Sequence, residues 1–108
     1  ISEKTTNGGD IRNTVVAPPG AMDRSPCGTG TSLLTARALA KGIVQIGYEY
    51  KVEGPLGTFF IGKAVSQETR KGINYVVPQV TGRAFITGFN KIVLSEHDPF
   101  PDGFQIGV

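Results

Sequence analysis

The segment Asp23-Arg24-Ser25-Pro26-Cys27-Gly28-Thr29-Gly30-Thr31-Ser32 constrains this chain more than any other, because it sets the single cysteine where a helix begins. Pro26 fixes the turn ahead of the sulfur, and Gly28 and Gly30 let backbone amides turn toward a ligand. Ala, Leu and Arg dominate from Leu33 to Lys41, and Gly42 stands where a helix C′ glycine belongs, so a helix is expected over Gly28–Lys41. A thiol at a helix N-terminus has its thiolate favoured by unpaired amides and the helix dipole. The same amides can hold a carboxylate or phosphate. One short segment therefore offers a proton-transfer or nucleophilic group beside an anion site.

The remaining composition narrows the setting. At 108 residues the chain is one domain with a single core. Its 19% charged and 39% hydrophobic content fits a soluble globular protein, and its apolar runs are too short to cross a bilayer. A net charge of +2, with Lys and Arg scattered and no aromatic stripe, gives no support to a nucleic-acid partner. One cysteine excludes an internal disulfide and a cysteine-based zinc cluster within the chain. No signal peptide is visible, which points to the cytoplasm, although the opening at Ile1 leaves room for an upstream segment.

Along the chain, residues 1–12 are polar and glycine-containing and read as a frayed start. Thr14–Ala17 reads as a strand entering the Pro18-Pro19-Gly20 turn. The apolar positions of the helix surround its axis, which predicts packing on most sides. Strands are then expected over Ile43–Val52, Thr58–Val65, Ile73–Val80, Arg83–Phe89 and Lys91–Leu94, with a charged turn from Glu68 to Gly72. Residues 99–108 form a C-terminal tail that opens as a proline-rich loop. The pattern is β-rich, with one principal buried helix.

Cys27 has several plain readings. It could be a small buried hydrophobe beside a glycine turn, but its polar and glycine-rich flanks argue otherwise. As a phosphate loop the segment lacks the lysine and spacing of a Walker A motif. A thiol-redox role wants a resolving cysteine, and none exists. A cysteine hydrolase wants a histidine base, for which His97, in an Asp/Pro/Phe loop, is the only candidate.

The segment resembles the surroundings of the second catalytic cysteine in the proline racemase family, which includes 4-hydroxyproline 2-epimerases and trans-3-hydroxyproline dehydratases. Asp10-Ile11-Arg12-Asn13-Thr14-Val15-Val16 resembles the strand that leads to it. Gly57-Thr58-Phe59-Phe60-Ile61-Gly62 and Val80-Thr81-Gly82-Arg83-Ala84-Phe85-Ile86-Thr87-Gly88 resemble later family segments. Asp98-Pro99-Phe100-Pro101-Asp102-Gly103-Phe104 is similar to the family's C-terminal end. The likeness covers nearly the whole chain and is to the C-terminal half of the family's proteins.

The resemblance implies an α+β, diaminopimelate-epimerase-like half, a barrel-like sheet around one central buried helix. It implies an isomerase that inverts Cα of proline or 4-hydroxyproline with two cysteines and neither cofactor nor metal. Cys27 would be one base, Gly28 and Thr29 would hold the substrate carboxylate through their amides, and Asp23 would receive the cationic nitrogen. The plainer alternative for Asp23 is a turn or capping carboxylate. The family's first motif, of the Cys-Gly-His-Gly type, has no counterpart, so partners are expected: an N-terminal half or a second copy, besides the amino-acid substrate. Alone, the chain is expected to be inactive.

One departure and one retained residue bear on substrate. Ala17 stands where proline racemases carry an aromatic pocket wall, which makes a hydroxyproline more plausible than proline. Cys27 itself argues against the dehydratase branch, where threonine is typical. The alternatives are a truncated, non-catalytic anion-binding or structural domain, or a dehydratase relative.

Overall fold

The computed structural model describes residues 1–106, so residues 107 and 108 of the expected tail lie outside it. In chain order the elements are β1 (Ser2–Glu3), β2 (Ile11–Asn13), β3 (Val16–Ala17), β4 (Ala21–Met22), α1 (Gly28–Ala40), β5 (Tyr50–Glu53), β6 (Phe59–Arg70) and β7 (Ile73–Thr81). Five strands form one sheet in the order β1-β2-β5-β6-β7, and β3 and β4 make a separate hairpin. Only β2 and β5 pair in parallel, because α1 carries the chain back across the sheet between them. The α+β class expected from the sequence is the one observed.

The ends of α1 are set locally. Gly42 has φ of 68°, its amide donates to Leu39 O, and the amide of Ile43 donates to Ala38 O at 2.9 Å. This is a Schellman ending, and it needs the left-handed conformation that glycine adopts cheaply. Thr31, Leu34, Thr35 and Ala38 form the buried stripe, spaced to lie on one face. They pack on β6 and β7. Gly62 of β6 makes the approach possible, since a Cβ there would overlap Thr35 Oγ1 and lie 3.0 Å from Thr31 Cγ2. Thr35 Oγ1 donates to Thr31 O at 2.8 Å, so its hydroxyl is buried and paired. Leu34, Ala38, Val44, Tyr50 and Val52 make the core, with Ile11 and Leu39 against it.

Several expectations differ from what is observed. The helix is buried on one face rather than on most sides, and Leu33 remains 68% exposed. Residues 1–12 do not simply fray: they supply β1, β2 and a loop that closes over Glu53. Strand pairing begins at Ile11 and leaves Thr14 and Val15 outside any strand, so Thr14–Ala17 is not one element. Of Ile43–Val52 only the stretch from Tyr50 is strand; before it Gly47 donates to Ala64 O within a run of turns. The Glu68–Gly72 turn shrinks to Lys71-Gly72, with φ of 50° and 77°, the two-residue geometry that suits strand twist. Ladder pairing therefore continues to Arg70 and Ile73.

Arg83–Phe89 and Lys91–Leu94 form no strands. Their side chains lie open, with Phe89 93% exposed. Period and apolar content suit a strand there, but a strand requires a neighbour to satisfy its backbone, and none of the described residues supplies it.

Candidate active site

The site begins at the base of the β3–β4 hairpin, where the Asp23 amide donates to Val15 O at 2.9 Å. Asp23 Oδ1 then accepts from the Ser25 amide at 2.8 Å, a tight side-chain-to-backbone turn. Ser25 Oγ in turn accepts from the Cys27 amide at 3.0 Å. These two links carry the chain from Asp23 to the helix start in four residues' length. Ser25 donors, backbone first and hydroxyl second, hold the Asp23 carboxyl below its ordinary range, with a smaller contribution from the Cys27 side chain. Asp23 is thus a carboxylate at neutral pH.

Cys27 is the N-cap of α1, with φ of 65° and ψ of 123°. A left-handed φ is uncommon for a side-chain-bearing residue, so the surroundings must hold it. Its Sγ accepts from the Gly30 amide at 3.3 Å, where a serine or aspartate oxygen would ordinarily cap. The Thr31 amide donates to Cys27 O at 2.8 Å and begins the helical ladder. Gly28 and Thr29 are exposed, and among the described residues no acceptor takes their amides. Open space lies over Gly28, where a Cβ would meet nothing within 4 Å. The helix start therefore presents two free N–H donors beside a half-buried thiol and a nearby carboxylate.

Pro26, ahead of the cysteine, is buried and pinned from three directions. Asn13 Nδ2 donates to its carbonyl at 2.9 Å, Thr31 Oγ1 at 3.4 Å, and Gly54 lies against its nitrogen. Gly54 follows Glu53, whose side chain is fully buried. Glu53 accepts from the Thr5 hydroxyl, from the Thr6 hydroxyl at 2.6 Å, and from the Thr6 and Asn7 amides at 2.9 and 3.1 Å. These donors, the threonine hydroxyls first, lower its pKa to about 2. Nothing in the sequence marks Asn13 and Gly54 as site residues, because their partners are set by the fold, whereas Ser25 bonds within its own loop to Asp23 and Cys27.

Cys27, Gly28, Thr29 and Asp23 are brought together; His97 is elsewhere in character, in an exposed turn with its amide on Ser95 Oγ. A groove of about 1020 Å3 opens on the Arg24–Pro26 side of the loop, lined also by Lys51, Phe59, Phe60 and Arg83, and Cys27 is not among its walls. Among the described residues no His, Cys, Asp and Glu side chains cluster as a metal site would require. Nor is any described helix long and apolar enough to cross a membrane.

Comparison with known proteins bears on this arrangement. The chain is 46% identical over 93 residues to a proline racemase of Clostridioides difficile, covering 86% of this chain and 28% of that protein. It is 40% identical over 105 residues to a 4-hydroxyproline 2-epimerase of Streptosporangium roseum, covering 94% of this chain and 32% of that one. A crystal structure of a hydroxyproline epimerase from Agrobacterium vitis, with trans-4-hydroxy-L-proline bound, superposes with a TM-score of 0.70 at 33% identity. That match covers 95% of this chain and 30% of the other. The chain thus spans about a third of the length of these relatives. The proline racemase family model matches residues 1–105, taking in the cysteine-capped helix start and the sheet that supports it, and the chain belongs to that family.

Proposed function

We propose that this chain supplies one half-site of a cofactor-independent amino-acid racemase or epimerase, with Cys27 as one of two acid/base groups. Inverting a carbon beside a carboxylate means removing a weakly acidic Cα–H from one face and returning a proton to the other. Cys27 Sγ, as thiolate, would take the proton on one face. A second acid, from outside these residues, would deliver one to the opposite face, and the next turnover in reverse would exchange their roles. The free amides of Gly28 and Thr29 would hold the substrate carboxylate and the negative charge that grows into it as Cα loses its proton. The Asp23 carboxylate would receive the cationic ring nitrogen.

The single observation that carries this reading is the placement of Cys27 as N-cap beside two unclaimed helix amides. The substrate class is proline or 4-hydroxyproline. Ala17 favours the latter, since a small side chain in the hairpin that ends at Asp23 leaves room for a ring hydroxyl. The exposed face of α1 and the open 83–94 segment support closure of the sheet into a barrel when the remainder of such an enzyme packs here.

The test is an alkylation experiment in an assembly that contains this chain and the second acid/base group. Pyrrole-2-carboxylate, a planar mimic of the carbanion, is expected to shield Cys27 from iodoacetamide. Equal alkylation rates with and without the mimic would overturn the assignment.

A further inference from the structure

We infer that Asn13 is the positioning residue for Cys27: its side-chain amide grips the peptide just ahead of the cysteine and walls the glycine just beyond it. Asn13 ends β2 and is 6% exposed, a buried polar group that the proposed chemistry leaves unused. Its Nδ2 donates to Pro26 O at 2.9 Å. The same nitrogen lies 2.9 Å from where a Cβ on Gly30 would stand. Gly30 is the residue whose amide donates to Cys27 Sγ. One side chain therefore meets both flanks of the cysteine.

The geometry makes this more than packing. Cys27 sits at φ of 65°, a conformation its own side chain disfavours. Relaxing it would rotate the peptide that joins Pro26 to Cys27, and Asn13 holds the carbonyl of that very peptide. Thr31 Oγ1 also reaches Pro26 O, but at 3.4 Å it is at the weak limit of a hydrogen bond. Without the Asn13 donor, Pro26 O retains only that long contact in a buried setting. The Cys27 backbone then keeps its links to Ser25 Oγ and the Thr31 amide but loses the firm hold on its Pro26 side, so the peptide can turn and Sγ shifts from the Gly30 amide. On the reading of Cys27 as a base, Asn13 sets the direction in which the sulfur faces the substrate carbon.

The test reads the Gly30 amide directly by hydrogen exchange in this chain. Gly30 lies in the first turn, where its one acceptor is Sγ, so its protection reports that bond. Asn13→Asp keeps the size of the side chain and removes the donor; Asn13→Ala removes both. In either variant Gly30 exchange should accelerate by roughly two- to tenfold relative to Leu34 and Ala38 in the same sample, the scale that loss of one such hydrogen bond implies. Cys27→Ala should release Gly30 similarly. If Gly30 keeps step with Leu34 and Ala38 in folded Asn13→Asp or Asn13→Ala, the inference is overturned. The mimic-protection experiment tests the base separately, and its outcome does not move the Gly30 readout.

Discussion

Gly54, the residue after β5, lies so close to Pro26 that a methyl group on it would stand 2.8 Å from the proline nitrogen and 3.0 Å from the Ser25 carbonyl carbon. The sheet thus supports the cysteine loop by backbone-to-backbone contact, with no flexible side chain to yield. Gly54→Ala is expected to cost about 1–3 kcal/mol, the range for forcing an extra methyl into a packed site. Urea denaturation measures the cost. Iodoacetamide reactivity at Cys27 should change in the same variant, because relief requires the Ser25–Pro26 peptide to move.

Glu53 ties this support to the N-terminal loop, and its ionisation makes the tie sensitive to pH. Its folded pKa of about 2 lies below the ordinary 4.5, so the folded state binds the proton less readily than the unfolded chain. The stabilisation is fully present above about 4.5 and is lost as pH falls toward 2. The urea midpoint of the parent chain should therefore drop across that window. Glu53→Gln, with no proton to gain, should be weaker at neutral pH and show a smaller drop. Equal pH dependence in the two proteins would assign the effect to other carboxylates.

The helix and its cap were legible because their signals are local. Pro26, the glycines and the Ala/Leu run act within a few residues, and Gly42 does take the positive φ expected of it. The Asp23–Thr29 cluster was legible for the same reason: one loop holds all of it. What escaped the sequence depends on partners far along the chain. Asn13 shows its role only once Pro26 is folded against it, and Glu53 only once Thr5, Thr6 and Asn7 enclose it. Residues 83–94 carry strand-like composition, yet pairing is a property of two segments.

Gly62 offers a separate check on how α1 is held. It lies under Thr31 and Thr35, and the threonine stripe touches the strand because no side chain intervenes. Gly62→Ala should destabilise by about 1–3 kcal/mol, since β6 backbone and two buried threonines cannot all stay in place. Gly72→Ala provides no such clash, because nothing lies within 4 Å of its Cβ position, but its φ of 77° strains any replacement. Its cost should be closer to about 1 kcal/mol. Thermal denaturation of the pair ranks helix-to-sheet contact against turn conformation.

Asp23 organises a turn and, on the proposed function, also meets the substrate nitrogen, and one pair of variants divides the two roles. Its Oδ1 organises the turn by accepting from the Ser25 amide, while its charge is what a cationic nitrogen would need. Asn retains an oxygen for the turn and removes the charge, whereas Ala removes both. Asp23→Asn should keep the denaturation midpoint near that of the parent, and Asp23→Ala should lower it. In the assembled enzyme both should reduce kcat/KM for the amino acid by roughly ten- to a hundredfold, the scale of one charge-assisted hydrogen bond. An Asp23→Asn enzyme with parental kcat/KM would leave Asp23 as a turn residue only, and the ring nitrogen would have to be met by another group.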